Sequence, residues 1–333
     1  MDDDLLARAT LCAASLSRPQ ARRSLEAWPA HPRSTAAGER ALERAAAAGI
    51  RALAPAHPEF PAALREIPDP PLLLWVKGVL PAGPLLSIVG ARRPSARGEA
   101  SARAFAAELA RAGVAIVSGL AYGIDSAAHE GALAGGGPTV AVLASGLLDV
   151  TPHGRRGLAE RILAGGGAWL SERPPDADAR ARHFPERNRL ISGLAACTLV
   201  VEAREKSGSL WTARHALEQG REVGVVPGPI DSEQCLGTNR LLRDGATPIL
   251  EAADLHAALL GPLAAQPVQR ELLPDVSPAA RAVLELLADG PCDVDALARA
   301  LGRAPRELAS ALLELELDGR LRREGTRLAL SSD

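Results

Sequence analysis

From Leu85 onward, short apolar runs alternate with longer stretches in which small and apolar residues recur at helical spacing. The runs are LLSIVG, VAIVSG, TVAVLASG, AWLSE, CTLVVEA, EVGVVPG and TPIL. Helices are predicted over Arg97–Arg111, through DSAAHEGALA, near Leu158–Leu163, from Arg189 onward, over Leu210–Gln219 and over Asn239–Arg243. A long polar loop is expected from Arg173 to Asn188. Strands that are apolar throughout need cover on both faces, and strict alternation with helices supplies it. The pattern predicts an α/β fold with a doubly wound, mostly parallel sheet. Ligands of such sheets bind outside the carboxyl ends of the strands, so the loops after the strands are where chemistry is sought.

The flanks read differently. Up to about Ala48, short Ala/Leu/Arg segments are broken at Pro19, Pro29 and Pro32, as in a small helical domain. A Pro-rich stretch from Pro55 to Pro84 holds one apolar run, Leu72–Val76, expected as an edge strand or lead-in. After a linker at 263–276, with Pro267 and Pro274, three amphipathic helices are expected at Pro278–Leu287, Val294–Leu301 and Pro305–Leu317. Two small strands around Gly325 and Thr326 complete a winged-helix outline. The expected domains are 1–54, 55–262 and 277–333. The third tail helix carries Arg306 but also Glu307, Glu314, Glu316 and Asp318, an acidic load that disfavours insertion into a DNA groove.

Composition narrows the chemistry. Net charge is −2 and aromatic residues are 2% of the chain, so no global basic field attracts a polyanion. Four cysteines stand apart with no C-x-x-C pair, which argues against a zinc site or redox dithiol. No metal-ligand spacing, Walker loop, G-x-G-x-x-G or G-x-S-x-G motif is present, so neither cofactor nor hydrolytic chemistry is indicated. The acidic N-terminus and the lack of long apolar runs lead us to expect a cytoplasmic protein without membrane segments.

Anion-binding features gather in the post-strand loops. Gly90 permits close backbone approach, and Arg92 or Arg93 offers a donor fork to phosphate. Ser118 and Gly119 sit where the sheet opens. Asp125 reads as a helix N-cap, with His129 one turn on. A catalytic pair is conceivable there, and a cap beside a packed histidine is the favoured reading. In RARHFPERNR, the donors Arg180, Arg182, Arg187, Asn188 and Arg189 surround Phe184, which is either a loop anchor or a stacking platform. Ser207, Gly208 and Ser209 open a helix whose first turn holds Thr212, a suitable anion site in which Ser209 could be the N-cap.

The ordered strings SIVGAR, VSGLAYGID, AAHEGAL, TVAVLASG, FPERNRLISGL, VVEA, SGSLWTARHALEQGREVGVVPG and GTNRLLRDGA, over roughly Leu72–Leu250, resemble the DNA-processing protein A (DprA/Smf) family. The resemblance implies an extended Rossmann fold, single-stranded DNA binding without catalysis, a homodimer, and loading of RecA recombinase during natural transformation. By motif it assigns DNA contacts to Gly90, Arg92, Ser118, Gly119, Phe184, Arg187, Asn188, Arg189, Ser207, Gly208, Ser209, Thr212 and Asn239. Ala91 stands where the family commonly has Ser. Thr151–Arg156 replaces a Tyr-Pro stretch; Arg155 and Arg156 could substitute there as phosphate donors, and the sequence leaves open whether they contact DNA. The alternative is a nucleotide or nucleoside-monophosphate hydrolase on the same sheet, although VPGPIDSEQ lacks the P-G-G-x-G-T loop expected of one.

Overall fold

The structure is a computed structural model that describes residues 3–13, 24–26, 35–255, 277–287, 292–317, 321–324 and 327–330. It divides into two compact units, Met1–Ala265 and Gln266–Asp333. The expected linker at 263–276, the breaks at Pro19, Pro29 and Pro32, Asp318 and the turn at Gly325 and Thr326 lie outside the described residues.

Among the described residues, the first unit is built on one nine-stranded sheet. Its strands are β1 (Arg51–Leu53), β2 (Leu74–Gly78), β3 (Leu85–Val89), β4 (Ala115–Ser118), β5 (Thr139–Val142), β6 (Ala168–Ser171), β7 (Cys197–Val200), β8 (Glu222–Val225) and β9 (Thr247–Pro248). They lie in the order β1-β2-β6-β5-β4-β3-β7-β8-β9. The run from β6 to β9 is parallel, whereas β2 is antiparallel to β6 and β1 to β2. Leu72–Val76 is thus not an edge strand: β2 is interior, and the edge is β1, whose Arg-Ala-Leu is too short to show a period.

The helices are α1 (Asp3–Ala13) and α2 (Ala36–Ala47) in the head, then α3 (Ala62–Arg65), α4 (Ala96–Arg111), α5 (Ile124–Ala134), α6 (Arg156–Ala164), α7 (His183–Leu194), α8 (Ser209–Glu218) and α9 (Leu236–Arg243). Successive strand residues face opposite ways, so one strand feeds two cores. Leu86, Ile88 and Ile116 pack under α4 and α5, and Val89, Val117 and Val142 pack with Leu190, Ile191 and Ala213 of α7 and α8. The head joins a third cluster, in which Ala9, Ala41 and Ala45 meet Trp75, Leu147 and Trp169. Small residues on α1 and α2 let those helices lie close over two large indoles.

α7 corrects a boundary. FPERNR is its first two turns, not the end of a loop before a helix at Arg189. Pro185 is the third helical residue, where a missing N–H breaks no intrahelical bond.

The second unit holds α10 (Pro278–Leu287), α11 (Val294–Leu301) and α12 (Pro305–Leu317), with β10 (Cys292–Asp293), β11 (Leu321–Glu324) and β12 (Arg327–Leu330) in the order β10-β12-β11. This is the winged-helix arrangement expected. Asp293 caps α11, accepting from Ala296 N at 2.6 Å, and Gly302 closes it in the left-handed region at φ 62°. Glu314 is half-buried and engaged within the unit. Its carboxylate accepts from both the backbone N–H and the hydroxyl of Ser277 at the start of α10, at 2.8 and 2.7 Å.

Candidate nucleic-acid interface

The strand order fixes where a ligand can enter. From β3 the chain steps outward through β4, β5 and β6, then returns to β7 on the other side of β3 and steps away through β8 and β9. The loops after β3 and β7 therefore diverge, and a crevice opens between them. A cleft of about 750 Å³ lies there. Its walls are Gly90–Arg93 after β3, Ala121 and Asp125 after β4, Ala181, Phe184, Pro185, Arg187 and Asn188 around the start of α7, and Arg204, Lys206–Ser209, Trp211 and Thr212 after β7.

Nine of the thirteen residues singled out from sequence line this cleft: Gly90, Arg92, Phe184, Arg187, Asn188, Ser207, Gly208, Ser209 and Thr212. Four do not. Ser118 is fully buried, and its hydroxyl donates to Ile88 O at 2.6 Å, bracing β4 against β3. Gly119 sits behind Arg187: a Cβ there would lie 2.6 Å from the guanidinium nitrogens, so glycine makes room for that group. Arg189 turns the other way and is sealed by Asp69 and Glu172, at 2.9 and 2.6 Å. Asn239 is occupied across the β8–α9 loop, donating to Gly228 O at 3.0 Å and accepting from Gly228 N at 3.3 Å.

Phe184 is half-buried on the first turn of α7, and the Arg92 guanidinium lies 5.3 Å from its ring centroid. Arg92 itself is exposed, so the pair presents a cation and a ring together at the rim. Arg187 is only 6% exposed. It donates to the carbonyls of Gly119, at 2.7 Å, and Val142, while its Nε finds no hydrogen-bond partner among the described residues. Burial pulls Arg187 down to about 10, opposed by the negative charge of Asp125.

Asp125 is not an N-cap. Gly123, at φ 79°, occupies that position, and Asp125 lies inside the first turn of α5. Its carboxylate instead reaches back to accept from Gly119 N at 3.2 Å and Ala121 N at 3.3 Å. Between those two residues Leu120 takes φ 58°, a conformation costly for a branched side chain, and the carboxylate holds it there. Burial raises the Asp125 carboxyl, with Arg187 pulling the other way. His129 is fully buried. Thr139 donates its hydroxyl proton to Ile116 O at 2.7 Å, so the 2.7 Å contact with His129 Nδ1 needs the imidazole as donor. Nε2 is then a bare acceptor without a described partner, and burial pushes the imidazole down to about 3. It does not face the cleft.

At the start of α8 the N-cap is Gly208, not Ser209. The hydroxyls of Ser207 and Ser209 bond each other at 2.8 Å, and Asn188 donates to Gly208 O at 3.2 Å, tying α7 to this turn. Nothing approaches a Cβ placed on Gly208, and its backbone is ordinary, so its bareness serves no packing need within the chain.

Residues 51–260 match the family model of DNA recombination-mediator protein A. The chain belongs to that family. Residues 269–325 match the DprA winged helix domain. Protein Smf of Escherichia coli K12 is 43% identical over 276 residues, covering 80% of this chain and 74% of that protein. Among solved structures, DNA processing protein A from Streptococcus pneumoniae superposes with a TM-score of 0.64 at 31% identity, over 74% of this chain and 95% of that one. DNA processing protein A from Helicobacter pylori, whose structure was described for its single-stranded DNA binding mode, gives 0.56 at 30% identity over 63% and 95%.

The mediator-family cleft also contains residues that the sequence reading passed over. Trp211 lines it and is 51% exposed, with the Arg214 guanidinium 5.7 Å from its ring. Arg204 and Lys206, both exposed, add cations on the β7 side, with Gln234 holding Arg204 Nε at 3.1 Å. Trp211 was detectable: in a chain with four tryptophans, one on the polar side of a helix start is an anomaly. Arg155 and Arg156 lie elsewhere. Arg155 stacks 4.7 Å from the Tyr122 ring, and Arg156 pairs with Glu160 at 3.2 Å. Among the described residues no cluster of His, Cys, Asp or Glu could hold a metal, and no helix is long and apolar enough to cross a membrane.

Proposed function

We propose that the chain binds single-stranded DNA in the β3/β7 cleft and acts there as a recombination mediator without bond chemistry. The observation that carries this reading is the convergence of four arginines and a lysine (Arg92, Arg93, Arg187, Arg204 and Lys206) with two accessible rings, Phe184 and Trp211, on one 750 Å³ cleft. Cations neutralise phosphates, and rings stack on bases that only a single strand exposes. The Helicobacter pylori relative, described as a single-stranded DNA binder, supports the same ligand here. Handover of the bound strand to RecA, a homodimeric assembly, a cytoplasmic setting and a role in transformation belong to this reading by family membership. The division into a helical head at 1–54, a DNA-binding domain at 55–262 and a winged-helix-like domain at 277–333 is proposed with it.

The test is fluorescence anisotropy with labelled single- and double-stranded oligonucleotides across a salt series. Single strands are expected to bind more tightly, with log K falling against log salt by about 0.7 per neutralised phosphate. Equal affinity for duplex, or binding indifferent to salt, would refute the assignment.

A further inference from the structure

A second cleft, of about 420 Å³, opens between α2 of the head and the segment leading from β6 into α7. Arg40 and Arg44 enter it from α2, Arg173, Arg180 and Arg182 from the connecting segment, and His183 from the first residue of α7. Asp176 and Asp178 share the space. Asp176 engages Arg44, and Glu186 engages Arg173. Arg40, Arg180 and Arg182 are exposed and have no ion pair among the described residues. Three such arginines against the single carboxylate of Asp178 leave a local positive excess in a chain whose net charge is −2.

The two clefts share a wall. Along one short stretch, Ala181 and Phe184 face the first cleft, while Arg180, Arg182 and His183 face the second. A strand leaving the first cleft has only to cross the start of α7 to reach the second. The linings differ in kind, because among the described residues no Phe, Tyr or Trp lines the second. Those residues offer charge for a backbone rather than a platform for a base.

We propose that this second cleft is a phosphate track, gripping the backbone of the nucleotides that flank those held in the first cleft. The proposal rests on the reading of the first cleft and adds a role for the helical head. A solvated arginine cluster that merely fastens the head would need the Arg44–Asp176 pair but not the three arginines beside it. An acidic peptide is the rival ligand, and oligonucleotide length separates the two.

The experiment compares oligothymidylates of about 6 and about 16 nucleotides, a span matching known single-strand sites. Wild type is set against a full-length Arg40→Ala/Arg180→Ala/Arg182→Ala variant. All three side chains are exposed, so the fold is expected to survive, and an unchanged melting temperature checks this. Wild type should bind the longer strand about tenfold tighter than added registers alone would give. The variant should keep wild-type affinity for the short strand and lose that gain, with its long-strand salt slope lower by about 2, at about 0.7 per lost phosphate contact. A companion variant with lysine at the three positions should retain the slope. Unchanged long-strand binding in the alanine variant, as an acidic-peptide site would give, overturns the track, and so does an equal loss on both lengths. Failure of wild type to bind even the short strand strikes the first-cleft reading instead and removes the track with it.

Discussion

Arg187 and Arg189 stand two residues apart on α7, both almost wholly buried, and they face opposite sides of the helix. Arg189 is met by two carboxylates, Asp69 and Glu172. Burial alone would weaken its charge, but the two acids outweigh burial and its guanidinium is raised. Arg187 is met chiefly by carbonyl oxygens, with Asp125 as its nearby charge, and its guanidinium is lowered to about 10. The comparison teaches how a buried cation differs by purpose. Surrounded by acids, it is a rivet; surrounded by carbonyls, with no carboxylate bonded to it among the described residues, it leaves its positive charge beside the cleft it lines.

Replacing each arginine should expose that difference, and these are the largest effects expected. Arg189→Ala removes the buried guanidinium that Asp69 and Glu172 share and should lower stability by about 3–5 kcal/mol, while the folded protein still binds single strands at wild-type affinity. Arg187→Ala should also destabilise, by taking the guanidinium donors away from the buried carbonyls of Gly119 and Val142, and should abolish detectable binding as well. Chemical denaturation paired with anisotropy separates the two. Equal binding losses in both variants would erase the distinction.

Next in size is a pH effect from behind the Arg187 wall. His129 has a native value near 3 against 6.5 when unfolded, so between those limits the unfolded chain takes up a proton that the native chain refuses. Its contribution is intact above about 6.5 and is lost as pH falls toward 3, by about 1.4 kcal/mol per unit. The raised Asp125 carboxyl works in the opposite sense, favouring the native state at low pH. His129→Gln should therefore flatten the fall in stability between pH 6 and 4, measured by urea denaturation; an unchanged slope would show that the imidazole is not the buried neutral group described.

Smaller effects address the rim. Trp211→Ala and Phe184→Ala should each weaken single-strand binding by about 1–3 kcal/mol with the salt slope preserved, since a ring neutralises no phosphate. Arg92→Ala should reduce the slope by about 0.7. A ring variant that changes the slope, or an Arg92 variant that does not, would reverse these roles.

Much of this was legible beforehand. Strands apolar on both faces, each ending in glycine or a polar turn, can only be the centre of a covered parallel sheet, and β3 to β8 follow from that. The post-β7 loop was also readable, because Ser-Gly-Ser ahead of a helix has few other uses. What escaped has local causes. Pro185 disguised the first turn of α7, since proline signals a break everywhere except at a helix start. β1 is three residues long and pairs only through register with β2. Ser118, Gly119, Arg189 and Asn239 carry suitable groups, but which side of an element a group faces depends on partners far away in the chain, such as Asp69 for Arg189.

The most direct test is the fluorescence of Trp211 during titration with oligothymidylate. Trp75 is fully buried and Trp169 5% exposed, whereas Trp211 opens onto the cleft. Stacked bases should quench its emission in proportion to anisotropy-measured binding, and Trp211→Phe should remove the quenching while retaining most of the affinity. Saturable binding with no change in emission, or the same quenching in Trp211→Phe, would place the strand somewhere other than this cleft.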